Sequence, residues 1–187
     1  MIPHSIFKKI DTSGDSGIQV VFRHLVTDHD RTAAICHEIK VAFNQGRKVL
    51  VLTERTEHLD AILSGLTDKV PTPFVLHGRV PKKLRAAVIS EMDSLPPDAP
   101  RILLATGKLV GEGFDHPPLD TLVLAMPVSW KGTLQQYAGR LHREHATKTN
   151  VRIVDFVDTG HPALLKMWDK RQRGYRAMGY RIAASVL

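Results

Sequence analysis

The residues best suited to chemistry in this chain are a glutamine and two arginines in the segment 136–143, which reads QYAGRLHR. If the segment is helical, Gln136, Arg140 and Arg143 lie on one face, because they are four and three residues apart. An arginine is always charged and forks to phosphate oxygens, so the pair suits transfer of a phosphoryl group. Gly139 costs roughly 1 kcal/mol relative to alanine inside a helix, which a close backbone approach would explain. The alternative is a solvated basic face, which the two arginines taken alone would favour.

A second candidate ligand site lies in residues 101–115, which read RILLATGKLVGEGFD. An apolar run leads to Thr106, and Gly111 and Gly113 then flank an acidic residue before Asp115. Glycines allow a backbone to come close to a ligand, and Asp115 could accept hydrogen bonds from ribose hydroxyls. The alternative is an ordinary glycine loop.

Three predicted strands end in groups that can hold phosphates, namely hydroxyl, imidazole, glycine and basic groups. The strands run into the segments Thr53-Glu54-Arg55, His77-Gly78-Arg79 and Thr106-Gly107-Lys108, which contain these groups. Open parallel sheets bind ligands beyond the carboxyl ends of their strands. Loops are polar in any case, but the recurrence of this chemistry at equivalent ends favours ligand binding.

The elements that must position these residues alternate between strand and helix. Apolar runs predict strands over 48–52, 73–76, 101–105, 121–125 and 151–156. Periodic apolar positions predict helices over 31–45, around 59–66, from Pro81 onward, over 134–142 and over 161–178. We expect Asp30 to cap the first of these, and the helix after Pro81 to bury Leu84, Val88 and Met92. The pattern predicts an α/β fold with a parallel sheet and helices on both faces.

The chain divides into three predicted segments. Residues 1–28 form a lead-in with a short strand over 18–22, residues 29–160 form the main domain, and residues 161–187 form a basic helix and tail. The last segment interleaves aromatic and basic side chains, which could bind single-stranded nucleic acid by stacking and charge. Packing of its aromatic side on the sheet is the favoured alternative.

Composition narrows the class of protein. The 187 residues carry a net charge of +7 with a pI of about 9.7. This charge is typical of proteins that bind a polyanion such as nucleic acid. On charge alone, a domain that is basic without binding a polyanion is a nearly equal alternative. The sequence contains no apolar run of membrane-spanning length and no secretory leader, so we expect no membrane partner. One cysteine, Cys36, fits a reducing compartment and a cytoplasmic location. His142 and His145 match no common zinc pattern, and we predict no metal site.

Together these segments resemble the motifs of superfamily-two helicases. Segment 136–143 resembles motif VI, Q-x-x-G-R-x-x-R, and segment 102–115 resembles motif V. Residues 49–55 resemble motif IV, and His77-Gly78 with Arg85 resembles the segment after the second strand. The leading glutamine of motif VI looks most like the branch of type III restriction subunits and DNA repair helicases, which favours DNA over RNA. The resemblance implies a RecA-like, P-loop NTPase-like three-layer sandwich, the C-terminal one of two motor domains.

The resemblance also implies roles. Arg140 and Arg143 would be arginine fingers that reach the γ-phosphate of ATP held by a partner domain. Gln136, Gly113 and Asp115 would contact the nucleotide, with Asp115 near the ribose. The residues that would face the nucleic-acid backbone are Thr53, Arg55, His77, Gly78, Thr106 and Lys108.

Two expected segments are missing from the sequence. It contains no G-x-x-x-x-G-K-S/T phosphate loop and no D-E-x-H or D-E-x-D box. In this family both belong to the first motor domain, which would also hold most of the Mg²⁺ coordination. We therefore expect a fragment or part of a larger protein that does not hydrolyse ATP alone. The partner would be the N-terminal RecA-like domain of the same protein.

Two other classes remain open from the residues alone. One is a non-catalytic nucleic-acid-binding or interaction module that kept the fold, although retention of both Arg140 and Arg143 argues against decay. The other is a free-standing nucleotide-binding protein with a flavodoxin-like fold, which would bind its ligand without a partner domain.

Overall fold

The computed structural model describes residues 2–6, 17–107, 114–128 and 134–183, and these form a six-stranded sheet flanked by helices. The strands are β1 (Ile2–Ile6), β2 (Lys48–Thr53), β3 (Phe74–Leu76), β4 (Arg101–Thr106), β5 (Thr121–Leu124) and β6 (Arg152–Asp158). Their order is β1-β6-β5-β2-β4-β3, and every neighbouring pair is parallel. The predicted α/β class is therefore confirmed.

The sheet has one strand more than the five that the sequence predicts. β1 lies at the edge beside β6, with Ile2 opposite Val154 and Ile6 opposite Asp158. Its sequence, IPHSI, lacks the continuous apolar run of a strand buried on both faces, which is why it escaped prediction. An edge strand needs only one neighbour, so main-chain pairing with β6 suffices. The predicted lead-in thus contributes a strand to the sheet.

Both faces of the central strands are buried, because successive side chains along a strand point to opposite sides. In β2, Leu50 and Leu52 belong to the apolar core on one face, while Val49 and Val51 belong to the core on the other. This arrangement explains why β2 and β4 read as unbroken apolar runs rather than as alternating ones.

Six helices cover the two faces in the described part of the chain. They are α1 (Ile18–Thr27), α2 (His29–Asn44), α3 (Thr56–Leu66), α4 (Lys82–Ser94), α5 (Gln135–Leu141) and α6 (Pro162–Ala177). The strand predicted over 18–22 is wrong, because these residues begin α1. Val21 and Leu25, four residues apart, pack against Met126 and Leu164, and this helical period is invisible in a window of five residues. None of the described helices is long and apolar enough to cross a bilayer.

Two helix starts differ from the prediction. The cap of α2 is Asp28 rather than Asp30, since the Asp28 carboxylate accepts from the backbone N–H groups of Asp30 (3.1 Å) and Arg31 (3.2 Å). In α4, Pro81 occupies the capping position instead of the first turn. Met92 is fully buried as predicted, but Leu84 is 56% exposed and its predicted burial is wrong. Helix α4 follows β3, which is the edge strand and only three residues long.

Two buried ion pairs fasten helices on opposite faces to β6. Arg31 of α2 donates to Asp158 at 2.7 and 3.1 Å, and Arg171 of α6 donates to Asp155 at 2.8 and 3.1 Å. All four side chains are at most 4% exposed. Such bidentate pairs fix the direction in which a helix crosses a strand.

Candidate functional site

The carboxyl edge of the sheet brings the predicted strand-end residues together. Thr53 and Thr106 lie directly opposite each other at the ends of β2 and β4. Leu76 at the end of β3 lies opposite Ala105, so His77 leaves the sheet beside Thr106. Separate sequence segments therefore meet at one edge, as the parallel topology requires.

The two threonine hydroxyls at this edge are shielded from solvent. Thr53 is 2% exposed and Thr106 is 8% exposed. The Thr53 hydroxyl forms a hydrogen bond of 3.0 Å with Nδ1 of His58 in the first turn of α3. His58 is fully buried, and the pKa of its imidazole falls to about 3 because burial and the nearby Arg31 guanidinium both disfavour the charged ring. A neutral histidine therefore supports Thr53 from inside.

The remaining predicted nucleic-acid contacts are more accessible. Arg55 donates to Gln19 of α1 at 2.8 Å and to Glu57 at 3.3 Å, which orients its guanidinium group along the surface. The His77 ring accepts from the Arg79 backbone N–H at 3.2 Å, and Gly78 is exposed in the same turn. Lys108 lies outside the described residues. The structure leaves the nucleic-acid role of all these residues a prediction.

Helix α5 carries the predicted nucleotide-binding groups on its outer side. Tyr137, Ala138 and Leu141 are buried, whereas Gln136 is exposed and Arg140 is half-buried. In the described part of the chain, nothing lies within 4 Å of a Cβ placed on Gly139, so the close approach expected there does not come from this part of the chain. No described residue accepts a hydrogen bond from the Arg140 guanidinium.

Arg143 lies beyond the helix rather than on its face, which corrects the expected helical spacing. Helix α5 ends at Leu141, and the Arg143 backbone N–H bonds to the carbonyl of Arg140 at 3.2 Å in the following turn. The Lys148 ammonium donates to the carbonyls of Leu141 at 2.9 Å and of Arg143 at 2.8 Å. A cation at the end of a helix satisfies carbonyls that lack intrahelical partners, so Lys148 stabilises the turn that carries Arg143.

Arg143 nevertheless faces the loop that the sequence paired with it. Its guanidinium group donates to the carboxylate of Asp115, and the two side chains are 56% and 33% exposed. An exposed ion pair of this kind is worth about 1 kcal/mol or less, so a ligand can replace either partner. Arg143 is thus not buried in an internal ion pair, and it lies on the side of the 106–115 segment. Gly113 lies outside the described residues.

Three residues at this edge were missed as functional groups by sequence reasoning. The buried Tyr137 hydroxyl donates to the carbonyl of Gly107, and the Glu54 carboxylate lies against the same glycine. Burial raises the pKa of Glu54, although the residue as a whole is exposed, because its carboxylate end is covered at this contact. No local sequence pattern predicts such a contact, because it joins residues that are far apart in the sequence. Lys148 was missed for a similar reason, as a lone lysine in a loop.

No group of three or more histidine, cysteine, aspartate or glutamate side chains in the described residues is arranged to hold a metal ion. The described edge is instead rich in arginine and in backbone groups, a composition suited to phosphate oxygens.

Comparison with known proteins identifies the family. The model of the helicase conserved C-terminal domain matches residues 30–145, which is more than half of the 187 residues. The chain belongs to this family. It is a C-terminal RecA-like domain of the superfamily-two type, as the motifs predicted. The branch within the superfamily stays a prediction.

Individual proteins and one solved structure resemble this chain to different extents. The chain is 26% identical over 138 residues to "Probable helicase D10" of Escherichia phage T5, covering 74% of this chain and 30% of that protein. It is 37% identical over 94 residues to "Uncharacterized protein 108L" of Invertebrate iridescent virus 3, covering 50% of this chain and 84% of that protein. The crystal structure of T4 UvsW superposes with a TM-score of 0.74 at 18% identity, covering all of this chain and 41% of that one. The chain therefore spans well under half the length of the phage helicase and of UvsW.

Proposed function

We propose that this helicase domain is the second motor domain of an ATP-dependent helicase or translocase. In this proposal Arg140 and Arg143 act as arginine fingers that complete the ATP site of a phosphate-loop domain. The carboxyl edge of β2, β4 and β3 forms part of the nucleic-acid track. The observation that carries the proposal is that Arg143 pairs with Asp115 at the surface, while Arg140 has no hydrogen-bond acceptor among the described residues.

The arginine geometry supports a ligand supplied from outside the chain. Arg140 has no hydrogen-bond acceptor among the described residues, and Arg143 has only the exposed carboxylate of Asp115. A guanidinium group that is held at its backbone but free at its tip can meet an incoming phosphate at little cost. Lys148 provides that backbone support for Arg143 without competing for the phosphate.

The residues present fit a nucleotide better than they fit its metal ion. Arg140, Arg143 and Gln136 provide donors for phosphate oxygens, and Asp115 provides an acceptor for ribose hydroxyls. The described residues offer no carboxylate cluster for Mg²⁺, so the phosphate-loop domain would hold the metal. ATP, when bound, supplies the phosphoanhydride bond whose hydrolysis drives the motor. The part of this chain would be to neutralise charge on the transferred phosphoryl group.

A net charge of +7 and the arrangement of the strand ends support a nucleic-acid partner. His77, Gly78 and Arg55 are accessible, while the Thr53 and Thr106 hydroxyls lie just beneath. Contacts with the nucleic acid would therefore be made by backbone groups as much as by these hydroxyls. We propose DNA as the preferred substrate, on the pattern of motif VI alone.

The test is ATP hydrolysis by the complete motor, meaning this chain together with its phosphate-loop domain. We expect Arg143→Ala and Arg140→Ala each to lower kcat by roughly 1,000-fold, the lower end of the range for arginine fingers. The Kd for ATP should change much less, because the fingers act mainly in the transition state. This chain alone should show no ATPase activity.

Arg152→Ala is the matched control for the loss of an arginine. Arg152 lies at the amino end of β6, on the opposite edge of the sheet, where it donates to Gln45 at 2.6 Å. This variant should retain the turnover of the parent protein. Unchanged kcat in Arg143→Ala and Arg140→Ala would contradict the finger assignment, and nucleic-acid binding without any ATPase activity would favour a non-catalytic module.

A further inference from the structure

One buried contact joins the arginine-bearing helix to the predicted nucleic-acid edge. The Tyr137 hydroxyl, on the inner side of α5, donates to the carbonyl of Gly107, the residue immediately after β4. Tyr137 is 1% exposed, so its phenol ring is fixed by the surrounding core. The helix turn that presents Arg140 is therefore tied to the strand end that presents Thr106.

The space around this contact is full. A Cβ on Gly107 would lie 2.5 Å from Oε1 of Glu54 and 2.9 Å from the Tyr137 hydroxyl. Real Cβ atoms essentially never lie closer than about 3.0 Å to such atoms, so a larger residue would displace one of the two side chains. Three parts of the chain thus meet at this contact. They are Glu54 after β2, Gly107 after β4, and Tyr137 of helix α5. A shift of one of these parts would therefore displace the others, because a close-packed interior transmits strain.

The hydroxyl is a dependable donor here. Burial and the nearby Glu54 carboxylate together raise the pKa of Tyr137 to about 12, although the Arg140 guanidinium opposes the change. The group therefore stays protonated at any pH at which the protein would work. The carbonyl of Gly107 is its acceptor, which is a main-chain group whose position follows the end of β4 directly.

Packing alone does not require this hydroxyl. A phenylalanine ring would fill the same core space between Leu134 and Leu141, as their shared cluster of buried side chains indicates. The hydrogen bond to a main-chain carbonyl is the additional feature of tyrosine at this position. Its contribution lies in fixing one element relative to another rather than in filling volume.

We infer that Tyr137 is a positioning residue that couples nucleic-acid binding at the strand ends to the placement of the arginine fingers. The inference rests on the proposed motor function, and it names the contact through which the two sites communicate within this domain. Nucleic acid that contacts the carboxyl end of β4 would shift the Gly107 carbonyl. Through the Tyr137 hydroxyl, that shift would move α5 and hence Arg140. By linkage, nucleotide bound at the fingers would strengthen nucleic-acid binding by the same factor.

The test measures the coupling itself in the complete motor. The Kd for fluorescein-labelled oligo-dT and for oligo-U is measured by fluorescence anisotropy, with and without a non-hydrolysable ATP analogue. In the parent protein we expect the analogue to tighten binding by at least about fivefold, the lower end of allosteric coupling factors. In Tyr137→Phe the factor should fall towards one, while the Kd without nucleotide stays within about twofold of the parent value. A merely structural role would lower the melting temperature and leave the factor unchanged.

Tyr175→Phe is a matched control, because Tyr175 is also fully buried and donates to a protein oxygen, Asp155, at 2.9 Å. It should retain the coupling factor. Should Tyr137→Phe fail to fold, Gly107→Ala provides the second variant, since its Cβ would lie 2.9 Å from the Tyr137 hydroxyl and so disturb the contact. It should lower the factor in the same way.

The outcomes separate the two proposals. If Arg143→Ala abolishes ATP hydrolysis but Tyr137→Phe keeps the parent coupling factor, the coupling inference is overturned and the motor function stands. If Arg143→Ala leaves hydrolysis unchanged, the motor function itself is overturned. Loss of coupling in both Tyr137→Phe and Tyr175→Phe would also overturn the inference, because it would indicate a general effect of removing a buried hydroxyl.

Discussion

The buried imidazole of His58 should make the stability of the domain fall steeply in mild acid. His58 is fully buried against Thr53, and its pKa drops from 6.5 to about 3 on folding because burial and Arg31 disfavour the imidazolium form. Near pH 6.5 the His58 imidazole therefore binds a proton in the unfolded chain but not in the folded chain. The stability linked to this group is present above that pH and is lost as the pH falls towards the folded pKa.

The size of the effect follows from the two pKa values. Each pH unit below 6.5 costs about 1.4 kcal/mol until the folded ring also titrates. Between pH 7.5 and pH 5 the loss from His58 is about 2 kcal/mol. The exact folded pKa hardly matters, because pH 5 lies well above it. This loss is a substantial part of the roughly 5–15 kcal/mol that stabilises a typical domain.

Urea unfolding followed by circular dichroism measures the effect. The free energy of unfolding is compared at pH 7.5 and pH 5 for the parent chain and for His58→Asn, whose amide can still bond to Thr53. The other histidines are common to both proteins and cancel in the comparison. The variant should lose about 2 kcal/mol less than the parent over this interval.

His37→Asn is the control, because His37 is exposed on the outer side of α2. It should follow the pH dependence of the parent protein. The reasoning is refuted if His58→Asn and the parent lose the same free energy between the two pH values. In that case the ring would be accessible to protons in the folded state.

Three further predictions concern other parts of the domain. Lys148→Met removes two hydrogen bonds, to the carbonyl of Leu141 at the end of α5 and to the carbonyl of Arg143 in the turn after it. The free energy of unfolding in urea should therefore fall by about 1–2 kcal/mol, and an unchanged unfolding midpoint would contradict the capping role. Arg171→Met removes the charged partner of the buried Asp155 carboxylate, to which the Tyr175 hydroxyl still donates. The melting curve should report a loss of roughly 3–5 kcal/mol, against little change for the exposed Arg176→Met. Burial raises the pKa of the Cys36 thiol, so a thiol reagent should modify the folded chain far more slowly than the chain in urea, and equal rates would show that the thiol is accessible.

Local sequence patterns were most informative where one interaction dominates. The apolar runs inside β2 and β4 predicted buried parallel strands, because both faces of a central strand are covered and its interior positions are apolar. Pattern reasoning failed where pairing or context decides. β1 has no continuous apolar run and is held by main-chain pairing with β6. The short apolar run at Ile18 fits either a strand or a helix until Leu25 is considered. Leu84 has helical spacing, but it lies in the first turn of α4 and its side chain is 56% exposed.

By itself, the sequence indicated the family of this chain and five of the six described strands, and it nominated residues that could meet phosphates, because these inferences depend on motif and period. Only the tertiary structure decided which of those residues are free to act. In the folded chain the Thr53 hydroxyl bonds to His58, and Arg143 lies beyond the end of its helix and donates to Asp115. Arg140 has no hydrogen-bond partner among the described residues. The tertiary structure also joined Tyr137 to Gly107 across thirty residues of sequence. Hydrogen-bond partners of this kind depend on how elements pack in space, and no local pattern of residues encodes them.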